Sequence, residues 1–415
     1  MNIEHTFLQR AKEIEQVMIK HRRTLHENPE LSFEEHETSL YIRNALKDLN
    51  IDFKVMGETG VVATVGKGSR CVALRADIDA LPMSEETDLP FASTKQGVMH
   101  ACGHDAHTAM LLGAAQILKE NETSLNGTVK LIFQPGEEKV PGGASILIKE
   151  GVLNDPAPEV IFGQHVNPDA PAGIASFVAG NMMASADELY WTICGRGAHA
   201  AQPQKGSDPI VAASALIMHL QTLISRQRDP LSPGVLSVTA IHGGTVTNII
   251  PEEVILKGTL RSYDNDWREE TLEKIQEHSE MIARLHGCGC DFKPLRGYPP
   301  LINDTAATHF AKSSAIELLG ENSVTDFEPK MWGEDFAFYA QQIPACFWML
   351  GVRPLDKDEM PGLHNPKFTP DESAFAVGCA LMASAAANYL SDTAVNPATL
   401  APANKEVLKE MEIEG

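Results

Sequence analysis

Positive charge is what this sequence has least of: 34 lysines and arginines stand against 56 aspartates and glutamates in 415 residues, a formal net charge of −22. So acidic a chain repels a phosphate backbone, and no basic stripe or zinc-finger spacing offsets it, so no nucleic-acid partner is expected. Long apolar runs are missing too. No stretch reads as apolar enough to span a bilayer. Met1–Arg23 mixes charges with apolar residues at helical spacing, where a signal peptide would need an apolar core. Neither a membrane partner nor export is expected. Cysteine is sparse: seven, an odd number scattered along a long chain, which suits a reducing, cytoplasmic setting better than a disulfide framework. Nucleotide-binding loops are absent, because Gly142-Gly143 and Gly243-Gly244 are isolated pairs. There is also no Gly-x-Ser-x-Gly elbow of the serine hydrolases.

What is present is an ordinary globular composition, 43% hydrophobic and 22% charged. The chain is too long for one comfortable core, so two domains are expected. Residues 1–50 read as helical, interrupted at Pro29. Three short apolar runs then end in acid or imidazole: Arg70-Cys-Val-Ala-Leu-Arg-Ala into Asp77, Val129-Lys-Leu-Ile-Phe-Gln into Pro-Gly-Glu137-Glu138, and Glu159-Val-Ile-Phe-Gly-Gln into His165. Each predicts a buried strand, and a helix from about Asp105 to Asn121 lies between the first two. Alternating strands and helices imply an α/β fold on a mostly parallel sheet, whose sites collect at the carboxyl ends of the strands. The middle, 186–295, reads instead as βαββαβ, a small ferredoxin-like insert. The expected division is therefore a first catalytic part over 1–185, an insert over 186–295 and a second catalytic part over 296–415. In that last part Phe347-Trp-Met-Leu-Gly is another buried strand. The final twenty or so residues, with Pro397 and Pro402, read as a loose tail with a short acidic helix.

The densest chemistry is Met99-His-Ala-Cys-Gly-His-Asp-Ala-His107. Cys102 and His104 alternate, so in an extended segment they could point the same way, and thiolate with neutral imidazole binds zinc-like metals. His100 and His107 are weaker ligand candidates. Gln134-Pro-Gly-Glu-Glu offers adjacent carboxylates after a buried strand, which near a metal can divide labour: one binds it while the other moves a proton. His165, His199 and His364 are isolated histidines that could each as well be surface groups or strand-end caps. His286-Gly-Cys-Gly-Cys290 mimics a metal site but is read as structural.

Together these runs resemble the aminoacylase/carboxypeptidase G-type metallopeptidase superfamily. More narrowly they resemble its amidohydrolase branch of hippurate hydrolases, bacterial N-acyl-amino-acid amidohydrolases and plant auxin-conjugate hydrolases. The resemblance extends from about Arg22 to Leu390. It is carried by Arg23-Thr-Leu-His-Glu-Asn-Pro-Glu-Leu, Arg75-Ala-Asp-Ile-Asp-Ala-Leu-Pro, the His100–His107 and Gln134–Glu138 runs, Gly195-Arg-Gly-Ala-His-Ala-Ala-Gln-Pro, the Gly243–Pro251 run with Asn248, Glu334-Asp-Phe and Leu363-His-Asn-Pro. It implies a di-metal hydrolase domain with an inserted lid and dimerisation domain. Cys102, His104, Glu138, His165 and His364 would hold two divalent cations per subunit, with Cys102 bridging them. Glu137 would be the general base and acid, and His199 and Asn248 would contact substrate. In family homodimers the residue matching His199 also reaches a partner subunit's site and helps hold the oxyanion.

A thiolate favours zinc, but mixed sulfur, nitrogen and oxygen sets also hold manganese, cobalt or nickel. Two departures stand out. Arg75 occupies the place where the wider superfamily often has a ligand histidine, with His104 supplying a replacement nitrogen. Trp332-Gly333 precedes Glu-Asp-Phe where the branch often has a small pair. The expected activity is hydrolysis of the amide bond of an N-acyl amino acid. The alternatives are an exo- or dipeptidase of the same superfamily and a non-catalytic binding protein, although the latter should have lost Glu137 or a ligand.

Overall fold

The apolar runs around Arg75, Ile132 and Phe162 become neighbouring strands of one eight-stranded sheet in a computed structural model that describes residues 3–392. The proline-containing tail lies outside the described residues. The strands Thr128–Gln134, Cys71–Asp77, Val160–Pro171 and Ala345–Arg353 lie side by side and parallel, with Leu74 opposite both Leu131 and Phe162. Towards the edges the sheet turns antiparallel, through Phe53–Met56 and Gly60–Gly66 on one side and Ala175–Phe177 on the other. The Cys71–Asp77 and Thr128–Gln134 strands are buried along their whole length, as expected when both faces of a parallel sheet are covered. Among the described residues the sheet belongs to a compact unit made of 3–182, Ile302–Pro329 and 335–392.

Pro29 breaks the N-terminal helical region as expected. Helices Ile3–Glu13 and Glu15–Glu27 precede it, and His36–Asp48 follows it. Helix His104–Glu120 is buried along most of its length and packs with Phe375–Ser391. Glu372–Ser391 corrects one reading of the sequence: it is long and apolar enough to cross a membrane, yet 83% of its most apolar 18-residue window is buried inside the protein. Its small residues, Ala376, Gly378, Ala380, Ala383 and Ala386, let it lie within the core.

Met183–Leu301 and Lys330–Glu334 form a second compact unit. Its four-stranded antiparallel sheet runs Gly234–His242, Glu253–Ser262, Ala186–Cys194, Gly289–Tyr298 from edge to edge. Along Ala186–Cys194 the buried side chains alternate as Asp187, Leu189, Trp191 and Ile193, the period of a sheet with one covered face. The cover is two helices, Pro209–Thr222 and Asn265–Leu285, which contribute Ala212, Leu216, Leu220, Leu272 and Ile275 to this core. Each starts at an aspartate that caps it: Asp208 accepts from Ile210 N at 2.9 Å, and Asp264 from Trp267 N at 3.0 Å. Buried Asp187 accepts from Arg268 Nε at 2.7 Å, tying the sheet to the second helix.

Candidate metal centre

The first donors come from a turn, not from the extended segment expected. Gly103 takes φ +84°, and His104 is the first residue of helix His104–Glu120. A Cβ on Gly103 would stand 2.5 Å from Val166 Cγ2, so only glycine fits there. This left-handed turn brings Cys102 and His104 to the same place that strand alternation would have. Cys102 Sγ lies 3.4 Å from His165 Nε2.

His165 is likewise not at a strand end, since its strand continues to Pro171. Pairing with Cys71–Asp77 stops at Arg75–Gly163, whereas pairing with Ala345–Arg353 continues through His165. Beyond Gly163 one flank of the strand is therefore open, and His165 meets Cys102 there. His165 Nδ1 is 2.8 Å from the Val166 carbonyl oxygen, which fixes the tautomer with the Nε2 lone pair facing Cys102. Burial, then the neighbouring His107, hold His165 well below its usual range, so the imidazole is neutral.

The Pro135-Gly136 turn presents Glu137 and Glu138. The Glu138 Oε1 atom lies 3.9 Å from His104 Nε2 and 3.2 Å from His364 Nε2. His364 arrives on a distant loop with φ +57°, a conformation non-glycine residues rarely adopt, and its backbone N–H donates to Ala101 O at 2.9 Å. Donor atoms of Cys102, His104 and His165 lie within 4.8 Å of one another, and so do those of Cys102, Glu138 and His364. Cys102 is common to both groups. The structure thus brings together all five residues that the resemblance marked as ligands, with Glu137 beside them in a third group with His104 and Glu138.

Two buried atoms in this cluster, His104 Nε2 and Glu138 Oε1, have charged neighbours but no hydrogen bond. Each such atom costs on the order of 1–3 kcal/mol unless a ligand satisfies it. His104 Nδ1 is already committed, donating to the Asp79 carbonyl oxygen at 2.9 Å, so its Nε2 is the free lone pair once the ring is neutral. The charge balance points the same way. Burial, then the carboxylates of Glu138, Glu137 and Asp77, push the Cys102 thiol well above its ordinary range. Burial pushes the His104 imidazolium down, but Asp77, Asp79 and Glu138 outweigh it and carry it up to about 10. This negative cluster holds a proton on His104. A divalent cation in its place would satisfy the orphaned atoms and keep Cys102 as thiolate. One thiol, three imidazole nitrogens and a carboxylate fit such ions.

The weaker candidates resolve differently. His107 has both ring nitrogens engaged: Nδ1 is 2.6 Å from Asp77 Oδ1, and Nε2 accepts from Val166 N at 3.0 Å. It is a brace, not a ligand. His100 is buried with neither nitrogen hydrogen-bonded, and burial lowers it to about 4. Arg75 does not approach the donors with a lone pair. Its buried guanidinium donates to Gln134 Oε1 at 2.9 Å, Asp77 Oδ2 at 2.7 Å and Asp335 Oδ1 at 2.7 Å. Asp335 N in turn donates to Glu137 Oε1 at 3.4 Å. The sequence marked Asp77 only as an acid at a strand end and gave no role to Asp79 or Asp335, although all three sit inside quoted motifs. Nothing in a motif separates a ligand from the group that orients it. His286, Cys288 and Cys290 form no three-donor group among the described residues, and all seven cysteines are free.

In the second unit, Ala198–His199 pairs with Ile249–Ile250 as a short antiparallel ribbon, and Ala200 N donates to Asn248 O at 3.0 Å. His199 and Asn248 are thus neighbours, and both are exposed. His199 Nδ1 accepts from Ala201 N at 3.0 Å. Trp332 is 40% exposed.

Residues 73–388 match the model of peptidase family M20/M25/M40. The chain is 42% identical over 364 residues to the N-acetyl-L-cysteine deacetylase of Bacillus subtilis, covering 87% of this chain and 85% of that protein. It is 41% identical over 397 residues to IAA-amino acid hydrolase ILR1-like 4 of Arabidopsis thaliana, covering 94% and 89%. Among solved structures it resembles a Bacillus subtilis protein described as a dinuclear metal-binding peptidase of the M20 family. The TM-score is 0.78 and the identity 36%, with 92% of this chain and 99% of that one covered.

Proposed function

The chain belongs to peptidase family M20/M25/M40, and we propose that within it the protein is a two-metal amidohydrolase cleaving the amide bond of N-acyl amino acids. The observation that carries this reading is that Cys102 belongs both to the donor group of His104 and His165 and to that of Glu138 and His364, with Glu137 beside them. Cys102, His104, Glu138, His165 and His364 would hold a pair of divalent cations, which would supply the charge that activates water and polarises a carbonyl. Zinc, manganese, cobalt or nickel suits this donor set.

Glu137 has the chemistry of a proton shuttle. Its neighbour Glu138 is the ligand, so Glu137 remains able to take a proton from water and return it to the leaving amine. His199 and Asn248 are assigned to substrate, with His199 donating to the developing oxyanion. Both are exposed and adjacent on one ribbon, which supports this assignment. The second unit is read as a lid and dimerisation domain. Its sheet has two edge strands, Gly234–His242 and Gly289–Tyr298, and an edge strand can pair with a copy of itself across a twofold axis. The relatives are named as an N-acetyl-L-cysteine deacetylase and an IAA-amino acid hydrolase, which supports an acyl-amino-acid substrate for this chain.

The test is metal analysis followed by turnover on hippurate, N-acetyl-amino acids and auxin conjugates, with unblocked dipeptides in parallel. Two metals per subunit and cleavage of the acyl substrates are expected. Cleavage of dipeptides alone would turn the assignment to the peptidase alternative.

A further inference from the structure

The segment between the second and third helices makes contacts that the reaction outlined above does not use. It begins where Pro29 breaks the helix and ends at Glu35, which stands at the N-cap of helix His36–Asp48. An N-cap side chain ordinarily accepts from the first free N–H groups of its own helix. Glu35 makes no such bond. It is fully buried, and its carboxylate is spent on another segment: Gly136 N donates to Oε1 at 2.8 Å, and Thr59 Oγ1 donates to Oε2 at 2.6 Å. Two residues earlier, Phe33 takes φ +68°, a strained conformation for an aromatic residue. Its ring lies against Gly136, whose own φ is +59°, and a Cβ on Gly136 would stand 2.2 Å from Phe33 Cε1. One residue before that, Ser32 Oγ donates to Asp79 Oδ2 at 2.6 Å, and the same oxygen accepts from Glu138 N at 2.9 Å.

The backbone amides on either side of Glu137 are therefore each held by a buried carboxylate: Gly136 by Glu35, and Glu138 by Asp79. We infer that Ser32, Phe33 and Glu35 form a brace that positions the Gly136–Glu138 turn, and that Glu35 is a positioning residue acting through Glu137. The inference rests on the reading of Glu137 as general base. The first turn of the helix is capped instead by Glu30, whose Oε2 accepts from Thr38 N at 2.8 Å, which leaves the Glu35 carboxylate to Gly136. A strained φ is kept at Phe33 against the same glycine, which is what a site held for function looks like. The brace acts on direction. Glu137 has to face the water and then the leaving nitrogen, and a displacement near 1 Å can cost on the order of 10²-fold in rate.

Reach distinguishes the brace from a general need for an acid at this position. A glutamine has the length of Glu35 and an oxygen at the place of Oε1, where Gly136 N donates, so it is a close substitute. Glu35→Gln keeps an oxygen for Gly136 N and an NH2 group that Thr59 can accept. Glu35→Asp keeps the carboxyl but is one methylene too short, and Glu35→Ala removes the contact. On an N-acetyl-amino acid, with metal content and melting temperature recorded for each variant, E35D and E35A should lose on the order of 10²-fold in kcat. Their KM and metals per subunit should hold, and E35Q should stay near the unaltered enzyme. If E35A fails to fold, the comparison of E35D with E35Q decides. E35D turning over normally overturns the brace, and so does E35Q losing as much as E35D, or a loss of kcat that follows a loss of metal. Combining E35D with Glu137→Gln separates this inference from the reading beneath it. In the E137Q background E35D should cost nothing further, because the group it positions is gone. An undiminished cost there overturns the coupling, whereas E137Q alone turning over normally overturns the general base and the brace with it.

Discussion

Cys102 Sγ and His165 Nε2 lie 3.4 Å apart, each buried and each delivered by a different element of the same unit. Burial and three carboxylates push this thiol high, against an imidazole that burial holds neutral. We predict that Cys102→Ser lowers metal occupancy at both positions, because Cys102 is shared by both donor groups and a hydroxyl is a far poorer ligand than a thiolate. Metal per subunit after dialysis against a weak chelator reads this directly. A fully loaded serine variant would remove Cys102 from the ligand set.

Glu137→Gln should leave fold and metal content intact while kcat falls by several orders of magnitude. Loss of a general base alone costs on the order of 10²–10⁴-fold, and here the proton donor to the leaving amine is lost with it. The check is turnover at matched metal occupancy. Near-normal kcat would return the role to another group.

The acid side of the stability profile should report on Glu85. Burial raises its carboxyl, but the hydrogen bonds from His26, at 3.1 Å, and from Ser93 N, at 2.6 Å, outweigh it and bring it from 4.5 down to about 2. Because the folded value lies below the unfolded one, its contribution is complete above about 4.5 and disappears as the pH falls towards 2. His26 carries the opposite sign: although burial opposes its charge, Asp105 and Glu85 raise it, so its contribution is complete below 6.5 and fades as the pH rises through its folded value. Glu85→Gln should therefore be less stable than the unaltered metal-free protein at pH 5, and the gap should close by pH 2. Urea unfolding across that range measures it. A constant gap would mean that Glu85 acts through packing alone.

The course of the sheet was legible in the sequence because its central strands are short, apolar and fully buried, a pattern that survives without knowledge of neighbours. Cys71–Asp77 and Thr128–Gln134 begin and end within a residue of where the runs predict. The motifs likewise contained the five donor residues that the structure brings together. Geometry was less legible. Cys102 and His104 converge through the left-handed Gly103 turn, which looks no different in sequence from an extended pair. His165 lies inside a strand because its neighbour stops pairing at Gly163, a fact about another segment. The orienting groups Asp77, Asp79 and Asp335 act through contacts between residues up to 260 positions apart, as Arg75 does with Asp335, and no periodicity encodes these. The buried helix Glu372–Ser391 shows the converse: length and apolarity alone do not tell a core helix from a membrane span.

In the second unit, Arg268 and Asp187 form a buried pair, with Gly297 N also donating to Asp187 Oδ1 at 3.1 Å. Arg268→Met leaves the Asp187 carboxylate buried without its counter-charge, and breaking such a pair costs about 3–5 kcal/mol. Thermal unfolding should show that loss. Adding Asp187→Asn should recover part of it, because no lone charge then remains. A double variant less stable than R268M would show that the carboxylate is held by other groups.

The last prediction concerns assembly. We predict a homodimer through the second unit, in which His199 of one subunit serves the metal centre of its partner. The helix Pro209–Thr222 buries Ala212, Leu216 and Leu220 against its own sheet, so the sheet's covered face is already used within the subunit. The strand edges remain for a copy of the chain, as does the sheet's uncovered face, and pairing edges would bury the backbone N–H and C=O groups that an open edge leaves to solvent. Sedimentation of the purified protein tests the dimer. Crossing is tested by mixing two inactive variants, His199→Ala and Glu137→Gln. If His199 acts in its own subunit, every site in a mixed dimer lacks one of the two groups and activity stays absent. If it acts across, one site per mixed dimer has Glu137 from its own chain and His199 from the other. With random exchange of equal amounts, half of the dimers are mixed and each carries one complete site of two, so about a quarter of full activity should return. No recovery, with exchange proven by differently tagged chains, would confine His199 to its own subunit or remove it from the reaction.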